Sequence, residues 1–461
     1  MTVTDVLPLV SLILTTYNRP LLMRRALASA MAQTYPHLQI IVVDDGSTDE
    51  TGAWLEALEE QICVIRQENG GLAAARNRGI AAATGTFLTF LDDDDEIAPT
   101  KIARQVAYLQ QHPEMGLVHC GYYRSDGSGH WQDKIDSFPE EDSYEQLLKG
   151  NFIWSGGPLL RRSWLENVGR FDESLPTCED WDLWLRLAQA GCGLAALPTP
   201  LGTYTQLPDG MSTNLVRMEE GVTRVLDRAW QQVPETAQNA AAKRQAFGQM
   251  FLWLAARAYA SGQRERGAGY LGQAVTQQPD WQQEPTTLLP LLRGHALDVR
   301  VTEPPQFVAD LFAHLPGEAE FLRPHQPWLL AYAHLGLALR QLAAGSIIAA
   351  KAGFAAALRI YPALAQQPKQ VAPFITQYAL SLPTAEPVWF AGAALAQLPL
   401  SARSTLGDVA LGWAFQAYAA EAWGDVPRRV LRAWWYRPAL LTNRGAWAIL
   451  LKSLRRERGT T

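Results

Sequence analysis

Short, almost continuous apolar runs occupy residues 9–14, 40–43, 64–65 and 87–91. Between them lie stretches with apolar positions at helical spacing, such as 21–32 and 72–83. A strand that is apolar at every position is buried on both faces, so this alternation predicts a βαβα order and a mainly parallel sheet covered by helices. Ligands of such sheets bind beyond the carboxyl ends of the strands. The residues just after each run are therefore the informative ones: Thr15-Thr16-Tyr17-Asn18-Arg19-Pro20, Asp44-Asp45-Gly46-Ser47-Thr48-Asp49 and Asp92-Asp93-Asp94-Asp95-Glu96. From Leu215 onward the pattern changes to long helical periodicity, rich in Ala, Leu, Gln and Trp, which predicts an all-α region. The expected division is an α/β domain over 1–214 and a helical domain over 215–461.

Composition narrows the class. With 461 residues, 48% hydrophobic and 19% charged, the chain can bury sizeable cores and is not of a disordered or fibrous kind. No apolar run reaches the length of a membrane span, and the apolar start lacks a basic leader region, so it reads as a buried strand and not a signal or anchor. Cys63, Cys120, Cys178 and Cys192 form no Cys-x-x-Cys pair and suit a reducing cytoplasm. The net charge of −6 conceals a division, since residues 1–214 carry 15 Lys and Arg against 29 Asp and Glu, and residues 215–461 carry 25 against 17. The acidic half holds the motifs and no nucleic-acid-binding pattern stands out, so no nucleic-acid partner is expected.

Four successive carboxylates at the buried end of a strand repel one another unless cations or hydrogen-bond donors meet them, and a solvated acidic loop is the plainer alternative. Mg²⁺ takes one or two carboxylates together with substrate phosphates, which suits this run. Asn69-Gly70-Gly71 opens a helix containing Arg76, where backbone amides and a guanidinium can face an anion, although a tight turn explains the glycines equally. Glu179 and Asp180 open another helix whose buried face is marked by Trp181, Leu183, Trp184, Leu185 and Leu187, and helix capping is the plainer use of the acidic pair.

In order and spacing these segments, from Val10 to Ser212, resemble the family 2 glycosyltransferases of the GT-A fold: Val10-Ser11-Leu12-Ile13-Leu14-Thr15-Thr16-Tyr17-Asn18-Arg19, Val42-Val43-Asp44-Asp45-Gly46-Ser47, Asn69-Gly70-Gly71 with Ala75-Arg76-Asn77, Phe90-Leu91-Asp92-Asp93-Asp94-Asp95, Val168-Gly169-Arg170-Phe171-Asp172-Glu173 and Glu179-Asp180. The resemblance implies an inverting, metal-dependent transferase that moves a sugar from a nucleotide-diphosphate donor, UDP being the first expectation, to an acceptor hydroxyl in cell-surface glycan or polysaccharide assembly. Thr15, Tyr17, Asn18, Asp45, Arg76, Asp92 and Asp93 would then bind the donor. Asp94, with Asp92 and Asp95, would hold Mn²⁺ or Mg²⁺, and Asp180 beside Glu179 would be the general base. The chain departs from the family where a Tyr-Arg-x-His-like strand often ends the domain, because here the segment is Tyr204-Thr205-Gln206-Leu207. Trp154 and Trp181 offer aromatic faces for an acceptor sugar, which the resemblance makes a glycan or a lipid-linked one.

In the second half, Gly262 to Pro279 and Gly345 to Pro362 repeat one spacing inside similar helix-turn-helix patterns, which resemble tetratricopeptide repeats. Such hairpins bind proteins, self-associate or simply stack. A weaker third unit runs over 409–438. Residues 423–461 mix Arg428, Arg429, Arg432, Arg437, Arg444, Lys452, Arg455, Arg456 and Arg458 with Trp423, Trp434, Trp435 and Trp447, a pattern of either a solvated cationic face or a peripheral contact with the inner face of a membrane. The alternative to an enzyme is a non-catalytic scaffold that binds nucleotide sugars or proteins.

Overall fold

The computed structural model describes residues 7–125, 127, 132–139, 143–207, 210–298, 300–381, 386–398, 402–419, 422 and 424–457. They fall into two compact units, one holding residues up to 127 with 134–257, the other 258 onward with 132–133.

In the first unit the chain runs β1 (Val10–Thr16), α1 (Pro20–Met31), β2 (Leu38–Asp44), α2 (Thr51–Glu56), β3 (Cys63–Arg66), α3 (Leu72–Ala82), β4 (Phe87–Asp92), β5 (Glu96–Ile97), α4 (Lys101–Gln111), β6 (Met115–Ser125), β7 (Gln132–Ile135), α5 (Ser143–Leu147), β8 (Leu159–Arg161), α6 (Ser163–Val168), α7 (Glu179–Gln189) and β9 (Gly193–Thr205). The apolar runs read from the sequence are the cores of β1 to β4. The described strands form one sheet in the order β3-β2-β1-β4-β8-β6-β9-β5, with β7 beside β6. Its first half is parallel, as the βαβ rhythm requires, whereas β8 is antiparallel to both β4 and β6, so the whole sheet is mixed. Every residue of β1 is buried, because α1 and α3 leave no face of this central strand to water. Register brings the carboxyl ends together: Thr15 lies opposite Asp92 and Thr16 opposite Asp44.

Helix α8 (Leu215–Gln231), capped where Asn214 Oδ1 accepts from Arg217 N at 3.2 Å, packs on α7. Its buried stripe of Met218, Val222, Val225 and Leu226 belongs to the first unit, which continues to Arg257. Composition and compactness thus divide the chain at different places.

The second unit is helical. Gly262, with φ 75°, turns the helix Ala237–Ala260 into Arg264–Gln277, and Gly345, with φ 78°, turns Gln326–Ala343 into Ile347–Ile360. Both turns use the left-handed backbone that glycine adopts without penalty. Tyr332, Leu335, Leu339, Phe354, Val371, Phe390, Val409, Val430 and Ile449 share one core through the later helices. Among the described residues no helix is long and apolar enough to cross a membrane.

Candidate active site

The carboxyl edge of the parallel strands gathers the polar residues that follow them. After β1, the hydroxyl of Thr16 donates to Asp93 Oδ2 at 2.8 Å, and Arg19 reaches the same carboxylate at 3.3 Å and Asp94 at 3.1 Å. Asn18 adopts φ 55°, and its side-chain oxygen accepts from Thr48 N at 2.7 Å while its backbone N–H donates to Ser47 Oγ at 2.9 Å, which ties the β1 and β2 loops together. Thr15 is buried and Tyr17 is exposed at the rim.

After β2, Asp45 accepts from Gln67 Nε2 at 2.8 Å and from the amides of Gly70 and Gly71 at 2.9 Å each. Both oxygens of Asp45 therefore clasp the turn that opens α3. Gly71 has φ 88°, which a side chain would strain. The turn delivers Arg76 one helical turn later, where its side chain is only 2% exposed.

Arg76 is the hub. One guanidinium nitrogen donates to Asp92 Oδ1 at 2.6 Å and another to Glu179 Oε1 at 2.6 Å, so the end of β4 and the start of α7 are joined by a single fork. Phe171 covers it, with the guanidinium carbon 5.3 Å from the ring centroid, and Phe171 is itself held through Asn77, which accepts from its amide at 3.0 Å and donates to its carbonyl at 2.9 Å. The two neighbouring carboxylates hold the Arg76 guanidinium in its charged form against the cost of burial.

The acidic run splits by role. Asp95 is buried and accepts from Trp154 Nε1 at 2.7 Å and from Thr205 N at 2.8 Å, so both its oxygens are committed to the protein. Asp93 is likewise enclosed by Thr16 and Arg19, and burial pushes its carboxyl up to about 6. Asp92 divides its oxygens between Arg76 and the hydroxyl of Ser155, at 2.9 Å. Asp94 is more open than Asp93, at 17% side-chain exposure against 8%. Burial, then the charges of Asp92 and Asp93, push Asp94 up to about 7.

Cys178 takes a left-handed conformation, φ 63°, immediately before α7, and this sharp entry points Glu179 and Asp180 back toward the sheet. Asp180 accepts from Asn151 Nδ2 at 3.3 Å and from Trp181 N at 2.7 Å. Burial raises its carboxyl to about 7, with Glu179 adding to the rise and Arg76 opposing it. The segment before α7 is fixed from behind by Arg186, which donates to the carbonyls of Val168 and Arg170, and by Arg228 of α8, which pairs with Asp172 at 2.8 Å and Asp182 at 3.0 Å.

The structure therefore brings Asp92, Asp93, Asp94, Arg76, Glu179 and Asp180 into one charged cluster. Trp154 and Trp181 are each 5% exposed with their indole N–H groups committed to Asp95 and the Leu147 carbonyl, so neither presents a face to a sugar. Arg19, Ser155 and Asn151 join the cluster without having been singled out in the sequence; for Arg19 the available signal was a cation directly after a buried strand. Pro208 and Asp209 lie outside the described residues. Among the described residues no group of three or more His, Cys, Asp or Glu stands ready to close around a metal ion. Hard oxygens in excess of cations do fit a divalent ion that keeps most of its coordination for phosphate and water.

A family model described as Glycosyl transferase family 2 matches residues 11–169. An uncharacterized glycosyltransferase of Rickettsia prowazekii is 36% identical over 185 residues, covering 39% of this chain and 58% of that protein. The chain thus spans little more than half the length of that relative. The putative teichuronic acid biosynthesis glycosyltransferase TuaG of Bacillus subtilis is 30% identical over 212 residues, 45% of this chain and 82% of that protein. Among solved structures, the mannosyltransferase PcManGT from Pyrobaculum calidifontis in complex with GDP-Man and Mn²⁺ aligns with a TM-score of 0.43 at 20% identity, over 67% of this chain and 87% of that one.

Proposed function

Because this chain belongs to glycosyl transferase family 2, with the GT-A type of sheet, we propose that it transfers a sugar from a nucleotide diphosphate to an acceptor hydroxyl with inversion at the anomeric carbon. The observation that carries the proposal is the Arg76 fork, which holds the acidic end of β4 and the acidic start of α7, 87 positions apart, in one cluster. The first group suits a divalent cation that would meet a donor diphosphate, and the second suits a base. The names of relatives such as TuaG make cell-surface polysaccharide the acceptor class to examine first.

In this reading Asp180 takes the proton of the acceptor hydroxyl while that oxygen bonds to the anomeric carbon and the bond to the diphosphate breaks. A carboxyl raised to about 7 is a stronger base than an ordinary aspartate and still loses its proton near neutral pH, which matches general-base work. Asn151 and the Trp181 amide fix its orientation. Arg76 positions Asp92 and Glu179 instead of presenting an open fork to the ligand. Asp94, with Asp92 beside it, would hold Mn²⁺ or Mg²⁺, which supplies charge neutralisation for the departing diphosphate. Tyr17 and Asn18 would line the donor side with the buried Thr15 and Asp93 behind them, Asp45 fixes the Gly70-Gly71 turn there, and Asp95 anchors the run from beneath.

The test is release of nucleoside diphosphate from UDP-, GDP- and dTDP-sugars with Mn²⁺, using acceptor fragments of cell-surface polysaccharide and reading product anomeric configuration by NMR. Turnover that Asp94→Asn and Asp180→Asn each abolish in folded protein is expected. A folded chain that turns over no donor, and whose thermal midpoint no donor raises, would return the molecule to the scaffold reading.

A further inference from the structure

The last two helices of the second unit each bury one face and leave an apolar stripe on the other. In Val426–Tyr436, Val426, Val430 and Ala433 are buried, while Arg428, Leu431 and Trp435 stand exposed along the opposite side, Trp435 at 68%. In Arg444–Glu457, Ala446, Ile449 and Leu450 are buried, and Arg444, Trp447, Leu451 and Leu454 form the exposed stripe. The two helices pack together, and the Trp434 and Trp447 rings meet at 4.6 Å between centroids. Trp447 is held in place, since its indole N–H donates to the Leu441 carbonyl at 2.7 Å. Single exposed leucines need no explanation, but two neighbouring stripes that each combine tryptophan, leucine and a cation do.

Charge identifies the occupant. The nearby Arg429, Arg432 and Arg437 are neutralised by Asp425, Glu386 and Asp408, whereas the exposed Arg428, Arg444 and Lys452 enter no ion pair among the described residues. A second copy docking symmetrically would set these like charges against one another. An anionic bilayer surface instead receives Arg428 and Arg444 with the stripes and Lys452 from the flank of its helix, takes the leucines into the boundary of its acyl chains and suits tryptophan at headgroup depth. No described helix is long and apolar enough to cross a membrane. We propose that this face of the helical unit is a peripheral docking surface for anionic phospholipid membranes.

The experiment is co-sedimentation of the full chain with vesicles of phosphatidylcholine alone or containing about a third phosphatidylglycerol. Partition into the anionic vesicles only, weakened by salt, is expected. The combined change Arg428→Gln, Arg444→Gln and Lys452→Gln lowers the partition coefficient about a hundredfold. Leu431→Ser with Trp435→Ser lowers it at least about tenfold. These side chains are exposed, so an unchanged thermal midpoint and helical circular dichroism, with unchanged donor turnover in solution, separate loss of docking from misfolding. Failure of the native chain to sediment, equal binding to neutral vesicles, or indifference to the charge changes would overturn the proposal. A dimer seen by sedimentation equilibrium and dissolved by Trp435→Ser, without vesicle binding, would assign the face to a second copy and overturn it as well.

Discussion

Replacing Arg76 by methionine keeps most of the side-chain volume and removes the charge at the centre of the site. In the native chain its fork meets Asp92 and Glu179 at 2.6 Å, and the side-chain exposures are 2% for Arg76, 8% for Glu179 and 23% for Asp92. Water can therefore reach Asp92 but hardly Glu179. Breaking a buried pair by removing one partner costs about 3–5 kcal/mol, and the partial exposure of Asp92 argues for the lower part of that range, about 3 kcal/mol. Hydrogen exchange of the β1 and β4 amides reads the opening of this unit, and their protection should fall by about two orders of magnitude. Arg76→Lys restores the charge without the two-pronged geometry and should recover less than half of the loss. A fall in protection of less than about tenfold for Arg76→Met near neutral pH would refute the argument, because it would mean that water or repacking replaces the fork at little cost.

The remaining predictions concern chemistry and loop order. With Asp180 raised to about 7, the rate of transfer should increase with pH through that value and level off above it, and Asp180→Asn should lower kcat by about 10²–10⁴ with little change in donor affinity; a profile flat from 6 to 8 would remove Asp180 from the role. Arg19→Gln takes away the cation beside Asp93 and Asp94, so Mn²⁺ binding followed by electron paramagnetic resonance should tighten about ten- to a hundredfold, whereas weaker binding would show that Arg19 supports the cation site and does not compete with it. Asp45→Ala leaves the Gly70 and Gly71 amides without their charged acceptor and should cost about 2–4 kcal/mol in urea titration, a loss that a residue serving only as a nucleotide contact would not produce.

The parallel half of the sheet was legible because β1, β2 and β4 each carry a run of apolar residues on successive positions, as a strand covered on both faces does. The antiparallel turn of β8 was not, since a three-residue strand carries too few positions for any periodicity. At the site, chain position made Asp92, Asp94, Glu179 and Asp180 readable, because carboxylates at strand ends and helix starts stand out against apolar neighbours. Division of labour among Asp92, Asp93, Asp94 and Asp95 was hidden. It is decided by Thr205, Trp154, Ser155 and Arg19, which come from β9, the segments before β8 and the loop after β1, and no local pattern links those places. Trp154 misled for a related reason: its ring packs against Gly156 and against Gly202 of β9, a partner that no local pattern links to it.

The contact between α8 and α7 bears on how far the α/β half is autonomous. Helical composition starts at residue 215, which makes 214 an inviting place to cut. A chain ending there would lose Arg228 and leave Asp172 and Asp182 without that partner, and it would strip the apolar cover from the back of α7. The front of that helix carries Asp180. An inactive fragment of this kind would then report an unsupported helix, and says nothing about whether the helical unit takes part in the proposed transfer.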